Sequence, residues 1–385
     1  MTNRYLVTSA PGLEDILVEE LRTLGVTGRR EPSGAVVVEG EWVAAARILT
    51  RSRVASRVAL SLRRFSARTK AMLYDQVRRV NWPAVFSPEL TVAVTAQGSI
   101  PPTDFVLSYA PLRIKDALCD EFRKYGLPRP DVDRRDPDVR VHAHFHRGRC
   151  ELSVDLCGAP LHRRGYRAEG AEAPLRENRA AALLLFCGYD GSRPLVDPFC
   201  GSGTLPIEGA LIATRTAPGL LRDLDRFALV RLFPATREVL ETERAAAAGE
   251  RRDEAPASIR GSDLSPESLA VARSNAVLAG VNDRVQFEEA DALHLEAPDS
   301  FVVSNLPYGE RLETRETAAR LVGAFVHRVK HHAVGSTLGL VLPRGDLEHA
   351  VGLRPERRQA VESGPLELRF LRYAIYSGTR KGSHD

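Results

Sequence analysis

Asn305-Leu306-Pro307-Tyr308 places two acceptors and an aromatic face within four residues. The Asn305 amide oxygen and the Leu306 carbonyl can both accept hydrogen bonds from an exocyclic NH₂ group. Pro307 stiffens the turn so that the acceptors stay aimed, and the Tyr308 ring offers a flat surface on which a base can stack. An aromatic amine is a poor nucleophile because its lone pair is delocalised into the ring. Two acceptors favour a more tetrahedral nitrogen and free that lone pair for an electrophile held in line with it. No covalent nucleophile is required, and the Pro-Cys dipeptide suited to attack at a cytosine C5 is absent. Taken alone, Asn-x-Pro is also an ordinary turn closing a strand, so the reading depends on what lies upstream.

Upstream, Leu195-Val196-Asp197-Pro198-Phe199-Cys200-Gly201-Ser202-Gly203-Thr204-Leu205 reads as an apolar strand ending at Asp197, a Gly-x-Gly turn, and a helix continued by Ile207, Ala210 and Leu211. Glycines suit a sharp turn that must approach a ligand closely, and the helix that follows offers free N–H groups. Pro206 stands where a dinucleotide fingerprint needs its third glycine, and no Gly-Lys-Ser/Thr is present. Both pyrophosphate-binding motifs therefore fail. A cofactor without a pyrophosphate is favoured, and S-adenosylmethionine fits. The strand Ile259–Asp263 ends in an acid placed to bind both ribose hydroxyls. Asp263 follows Gly203 by 60 residues, and setting aside an insertion at 215–258 leaves 16, close to the usual spacing of about 20. Ser265-Pro266-Glu267 then starts a helix with a cap, a first-turn proline and an acid. Asp291, after a third strand, can accept from an adenine amino group, although by itself it is also a common turn residue.

Around these motifs the elements fall into three segments. Residues 1–65 make a small α+β unit: a strand at Tyr5–Thr8, a helix with Leu13, Ile16, Leu17, Leu21 and Leu24 on one face, a strand at Ala35–Glu39, then helix and strand from Ala44 to Phe65. Residues 66–165 make a second α+β unit. It has strands at Leu90–Ala96, Val139–Phe145 and Glu151–Leu156, a helix over Leu112–Tyr125, and a Pro- and Asp-rich loop at Pro128–Asp138. Cys150–Gly158 reads as the edge of a sheet. From 166 to 385 short apolar strands alternate with helices (Leu195–Asp197, Ile259–Asp263, Val285–Glu289, Phe301–Ser304, Thr337–Leu342), which predicts a parallel, doubly wound α/β sheet. Leu366–Tyr376 reads as a further strand at a hairpin edge.

These motifs together resemble the class I S-adenosylmethionine-dependent methyltransferases that act on amino groups, whose Asn/Asp-Pro-Pro-Tyr motif is similar to Asn305–Tyr308. Leu306 replaces the first proline, and the backbone carbonyl survives. Leu161–Arg167, Ala173–Asn178, Asp197–Thr204 and Asn305–Leu312 follow one another in the order of the THUMP-domain RNA guanine-N2 methyltransferases, and Arg215–Arg222 resembles that family's insertion. The resemblance spans the chain. It implies an N-terminal ferredoxin-like domain (1–65), a THUMP RNA-binding domain (66–165) and a Rossmann-like class I methyltransferase domain (166–385, insertion about 215–258). The nearest subgroup is similar to the bacterial 23S rRNA guanine-N2 methyltransferases with a single catalytic domain. The tRNA guanine-N2 enzymes are the nearest competitor, and adenine-N6 methylation of DNA or RNA shares the four-residue motif. By the same resemblance Asp197, Pro198, Gly201, Ser202, Gly203 and Thr204 line the methionine and ribose side of the cofactor. Asp263 holds the ribose, Asp291 and Ala292 meet adenine, and Asn305, Leu306, Pro307 and Tyr308 hold the target guanine. Pro174–Asn178 is expected to pack over the cofactor.

Composition bounds the rest. The chain has 385 residues, 43% hydrophobic, with net charge +4, enough for two or three domains. Its basic residues are 49 arginines and only five lysines; arginine suits bidentate phosphate contacts, and codon bias gives the same excess. Arg51, Arg53, Arg57, Arg63 and Arg64 form one cluster. Arg163, Arg164, Arg167 and Arg176 form another beside the presumed site, where they are expected to contact RNA. The target base must be unpaired or flipped. Five cysteines without a C-x-x-C pair argue against a disulfide framework and a thiolate zinc site. No metal ligand set is read. No run of 18 apolar residues and no signal-peptide layout is seen, and the cysteine usage makes a reducing cytoplasm the expected setting.

Overall fold

The computed structural model describes residues 2–100, 105–167, 175–307, 314–363 and 366–377. They form two compact units. One draws on Met1–Thr8, Val18–Leu161 and Arg222–Ala246, the other on Ser9–Leu17, His162–Leu221 and Ala247–Asp385.

Strands β1 (Asn3–Thr8), β2 (Gly28–Arg30), β3 (Val36–Gly40), β4 (Arg57–Ser66), β5 (Val92–Gly98), β6 (Val139–His146) and β7 (Arg149–Asp155) build the sheet of the first unit, in the order β2-β3-β1-β4-β7-β6-β5. All pairs are antiparallel except β5 with β6. Helices α1 (Glu14–Thr23), α2 (Trp42–Arg51), α3 (Lys70–Val77) and α4 (Ala110–Lys124) lie between the strands in sequence. On β6, Val139, Val141, Ala143 and Phe145 are buried while His142, His144 and His146 are half-buried, the two-residue period of a sheet with one apolar face.

The alternating pattern did not reveal the neighbours. The expected edge at Cys150–Gly158 is not an edge: β7 lies between β4 and β6 with both ladders filled. Its polar residues mimic a solvated edge, yet Asp155 is buried and accepts from Arg57 at 2.7 Å and from the N–H groups of Cys157 and Gly158 at 2.7 and 2.9 Å. Because β4 pairs with β1 on one side and β7 on the other, the two small α+β segments share one continuous sheet. Several arginines of the 51–64 cluster have internal partners: Arg51 meets Glu243, Arg57 meets Asp155, and Arg63 meets Gln76. Most of the expected insertion at 215–258 packs in this unit. The Phe233 ring lies 4.8 Å from that of Trp42, and Leu229 N–H bonds Leu156 O.

The second unit carries β8 (Leu195–Asp197), β9 (Ile259–Asp263), β10 (Gln286–Glu289), β11 (Phe301–Asn305), β12 (Thr337–Pro343), β13 (Arg357–Ser363) and β14 (Leu366–Ala374), in the order β10-β9-β8-β11-β12-β14-β13. The first five are parallel and the last two antiparallel. The hairpin expected near 366–376 exists, but β13 is its outer strand and β14 is interior. The Arg- and Gln-rich start of β13 lacks the apolar alternation that would have announced it. Helices α5 (Glu177–Cys187) and α6 (Thr204–Ala213) precede and follow β8; α7 (Ala228–Leu232) and most of α8 (Arg237–Gly249), between α6 and β9 in sequence, belong to the first unit; α9 (Pro266–Leu278) follows β9, and α10 (Arg315–His332) and α11 (Asp346–Ala350) flank β12. Among the described residues no helix is long and apolar enough to cross a membrane.

The core that fixes β11 joins Val302, Leu338 and Leu340 of the sheet to Val322, Phe325, Val326 and Val329 of α10. Phe325 is fully buried and meets the Phe199 ring edge-on at 5.2 Å, so it also supports the turn after β8. Phe325→Ala is expected to lower unfolding free energy by about 3–5 kcal/mol, measured by urea denaturation. A loss well under 1 kcal/mol would mean that α10 is not holding the sheet.

Candidate active site

The strand order of the second unit reverses at β8, whose neighbours β9 and β11 lie on opposite sides. In open parallel sheets a crevice forms at such a point, at the carboxyl ends of the strands. A cavity of about 670 Å³ lies there. It is lined by Asp197, Pro198, Gly201, Ser202 and Thr204 from the β8–α6 connection, Asp263 from β9, Asp291 and Ala292 after β10, and Asn305 and Pro307 from the end of β11. Residues more than 100 positions apart thus share one wall. Gly203 and Leu306 stand behind it: Gly203 is the left-handed N-cap of α6, and the Leu306 side chain is buried in the core. Tyr308 and Ala173–Pro174 lie outside the described residues.

The turn after β8 is held from several sides. Asp263 Oδ2 accepts from Gly201 N–H at 2.9 Å and its Oδ1 from Ser265 N–H at 3.0 Å. Cys200 N–H bonds Ser262 O, and Asn275 Nδ2 donates to Ser202 O. Gly203 has φ +79°, and a Cβ there would lie 2.9 Å from Ala272 Cβ and 3.0 Å from the Phe287 ring, so both conformation and packing require glycine. Gly201 differs. Its φ is +51° and a Cβ would meet no protein atom within 4 Å. It lines the cavity, so a side chain there would intrude on ligand space.

Two groups define the chemistry. Asp197 is buried at the end of β8, where its Oδ1 accepts from Ser304 Oγ at 2.6 Å and from Phe199 N–H at 3.2 Å. Burial pushes its carboxyl up to about 7 against the pull of those two donors, and the charge of Asp263 adds to the rise. Asn305 is the next residue along from Ser304. Its Oδ1 is buried and has no hydrogen-bond partner among the described residues. An orphaned buried acceptor is costly, and this one lines the cavity. Asp291 Oδ1 caps the following turn through Leu293 N–H at 2.9 Å, which leaves its other oxygen for a ligand.

The arginines expected near the site divide. Arg164 is only 1% exposed and lies 3.6 Å from the buried Glu208 carboxylate, which also accepts from Tyr166 Oη at 3.1 Å. A guanidinium so enclosed serves the core, which corrects its expected place among phosphate contacts. Arg167 donates to Thr204 Oγ1 at 2.7 Å and Leu175 O at 2.8 Å and pairs with Glu177 at 3.0 Å, so it braces the segment before α5 against the Gly-rich turn. Arg163 and Arg176 are exposed. Leu175, from the segment expected to pack over the cofactor, lines the cavity, whereas sequence reasoning missed the other apolar lining: Phe199, Leu264, Val271 and Leu321. Leu264 is 67% exposed directly after the strand-ending Asp263; a large apolar residue at that place in the chain was the available signal. Nothing in spacing pointed to Leu321.

Three known families match separate stretches of the chain. Residues 164–371 match the family described as RMKL-like, methyltransferase domain; residues 67–155 match the THUMP domain; residues 4–59 match the RlmL ferredoxin-like domain. The ribosomal RNA large subunit methyltransferase K/L of Photobacterium profundum is 34% identical over 98% of this chain and 54% of that protein. The chain therefore spans about half the length of the curated relatives it matches. Among solved structures, a possible methylase from Clostridium difficile 630 aligns over 99% of this chain and 100% of that one, with TM-score 0.88 and 26% identity. An enzyme from Listeria monocytogenes described as a predicted N6-adenine-specific DNA methylase aligns over 97% of this chain and 96% of that one, with TM-score 0.86 and 27% identity.

The Asp197 carboxyl implies a pH signature. Its folded value, about 7, exceeds the ordinary 3.8. Between those values the native state keeps a proton that the unfolded chain has released, so stability falls as pH rises through that window and this contribution levels off above it. Asp197→Asn is expected to remove that fall. Its melting midpoint should drop less than that of the parent between pH 5 and 8, and parallel profiles would contradict the assignment.

Proposed function

The chain belongs to the RMKL-like methyltransferase family, and from that premise we propose that it transfers a methyl group from S-adenosylmethionine to the exocyclic N2 amine of a guanosine in RNA. A 23S rRNA or its precursor is the favoured substrate, met in the cytoplasm. The observation that carries the reading is Asn305 Oδ1, a buried acceptor without a partner among the described residues, in one cavity with Asp197, Gly201 and Asp263.

The donor set suits the cofactor. Asp263 presents a carboxylate already fixed by two backbone N–H groups, suited to a pair of ribose hydroxyls. Leu264 and Val271 give apolar surface for adenine, and the free oxygen of Asp291 suits its amino group. Asp197 supplies an acidic group on the side where the cofactor's amino acid portion would lie. The bound cofactor supplies an electrophilic methyl on a sulfonium.

The rest is positioning by this chain's own groups. Asn305 Oδ1 and the Leu306 carbonyl accept from the target amine. The buried Leu306 side chain anchors that carbonyl and Pro307 stiffens the exit. Ser304, bound to Asp197, ties the acceptor strand to the cofactor strand, so the two reactants are held by one hydrogen-bonded frame. The THUMP match at 67–155 and the exposed Arg163 and Arg176 support an RNA substrate.

The direct test is mass spectrometry of nucleosides from separated rRNA and tRNA of cells with and without the gene. Loss of N2-methylguanosine from large-subunit rRNA is expected. Loss from tRNA alone would keep the chemistry and move the substrate, and loss of N6-methyladenosine instead would move the target amine. In purified enzyme, Asn305→Ala should lower methyl transfer roughly 100-fold or more while cofactor affinity by calorimetry stays nearly constant. Equal loss of both would remove Asn305 from the acceptor role.

A further inference from the structure

A second cavity of the methyltransferase unit, about 510 Å³, lies between the β12–β13 connection and strands β13 and β14. Four guanidinium groups line it: Arg344 and Arg354 from the connection, Arg358 from β13 and Arg369 from β14. Glu348 is the carboxylate among them, 3.6 Å from both Arg358 Nε and Arg369 Nε. Glu367 takes Arg344 at 3.1 Å and Arg369 at 3.4 Å. With both carboxylates counted the group keeps two positive charges. Arg354 is exposed and forms no ion pair among the described residues.

Tyr373 gives an independent pointer to a ligand. It is 1% exposed and lines this cavity, and its hydroxyl has no hydrogen-bond partner among the described residues. Burial and the nearby Glu348 charge keep the proton on it, so it is a donor without an acceptor. A buried donor left unpaired is costly and rare in a native fold. The Glu348 carboxylate beside it is already taken by two arginines. What the site lacks is an acceptor with negative charge and several oxygens. Arginine forks match the oxygens of a phosphate, and a phosphate would also take the Tyr373 proton donor.

The location fits the reaction. Strands β11 and β12 are parallel, with Asn305 beside Val341. Arg344 follows three residues further along, at the same carboxyl rim of the sheet as the candidate active site. We propose that this cavity is a phosphate-binding site that holds a backbone phosphodiester of the substrate flanking the target base. That the phosphate belongs to RNA rests on the function proposed above; that the site takes phosphate does not.

The test compares the full chain with Tyr373→Phe, Arg354→Ala and the double variant. Tyr373→Phe removes one hydroxyl and no packing volume, so its melting midpoint should match or exceed that of the parent. Two equilibrium readouts need no catalysis: binding of a 23S rRNA transcript over a range of salt, and the melting midpoint as inorganic phosphate is titrated. The double variant should bind RNA roughly tenfold more weakly, with a salt slope shallower by about one. Phosphate should raise the midpoint of the parent and not that of the double variant, and cofactor affinity should not change. Loss of the phosphate response with unchanged RNA affinity would overturn the RNA assignment in favour of a free phosphate ligand. Folded variants with neither readout altered would overturn the site itself. A parent enzyme that methylates no RNA would strike the proposed function while leaving the phosphate titration readable.

Discussion

The reversal of strand order at β8 is the constraint on which the rest of the methyltransferase unit depends. It opens a gap at the carboxyl end of one strand, and that gap must be closed by polar groups without becoming unsatisfied. The Ser304–Asp197 hydrogen bond, 2.6 Å and buried, does so across β8 and β11. The Asp263–Gly201 bond does the same across β9 and the Gly-rich turn. Each bond joins a strand that would face cofactor to an element that positions something else. Moving either carboxylate would shift the turn, the acceptor at Asn305 and the start of α6 together.

A second layer holds this layer in place, and it is unusually polar for a core. Glu208, fully buried on α6, meets Tyr166 Oη and the enclosed Arg164, while Arg167 ties Thr204 to Glu177 and Leu175. Buried ions of this kind add little net stability when paired and cost several kcal/mol when one partner is lost. Their value is geometric, because charge-assisted bonds tolerate few alternative arrangements. The segment before α5 is thereby fastened to the glycine-rich turn, and the arginines that look like a phosphate-binding run in sequence are partly consumed as internal struts.

Arginine is distributed among three tasks in this chain. In the N-terminal unit Arg51, Arg57 and Arg63 close internal contacts. In the methyltransferase unit Arg164 and Arg167 brace the core of the site. Arg163, Arg176 and Arg354 remain exposed, with Arg354 at a cationic cavity whose buried tyrosine has no acceptor among the described residues. The modest net charge of +4 conceals this division, since it does not distinguish an arginine paired inside the fold from one left exposed.

The sequence by itself determined the alternation of strands and helices, the glycine turn, the acid at Asp263 and the acceptor turn at Asn305, because each is written in local spacing and residue type. It also favoured a cofactor without a pyrophosphate, since Pro206 stands where the dinucleotide fingerprint needs its third glycine. It did not reveal which strands lie side by side. β7 resembled an edge because its polar residues find partners only in three dimensions, and β13 escaped notice because an outer strand need not alternate. Nor did it separate a buried arginine from a solvated one, as Arg163 and Arg164 are neighbours in the chain with opposite environments. Leu321 reaches the cavity from α10, and Tyr373 is buried without a hydrogen-bond partner among the described residues. Those facts belong to tertiary structure, because burial and pairing depend on which surfaces meet, and local periodicity carries no information about that.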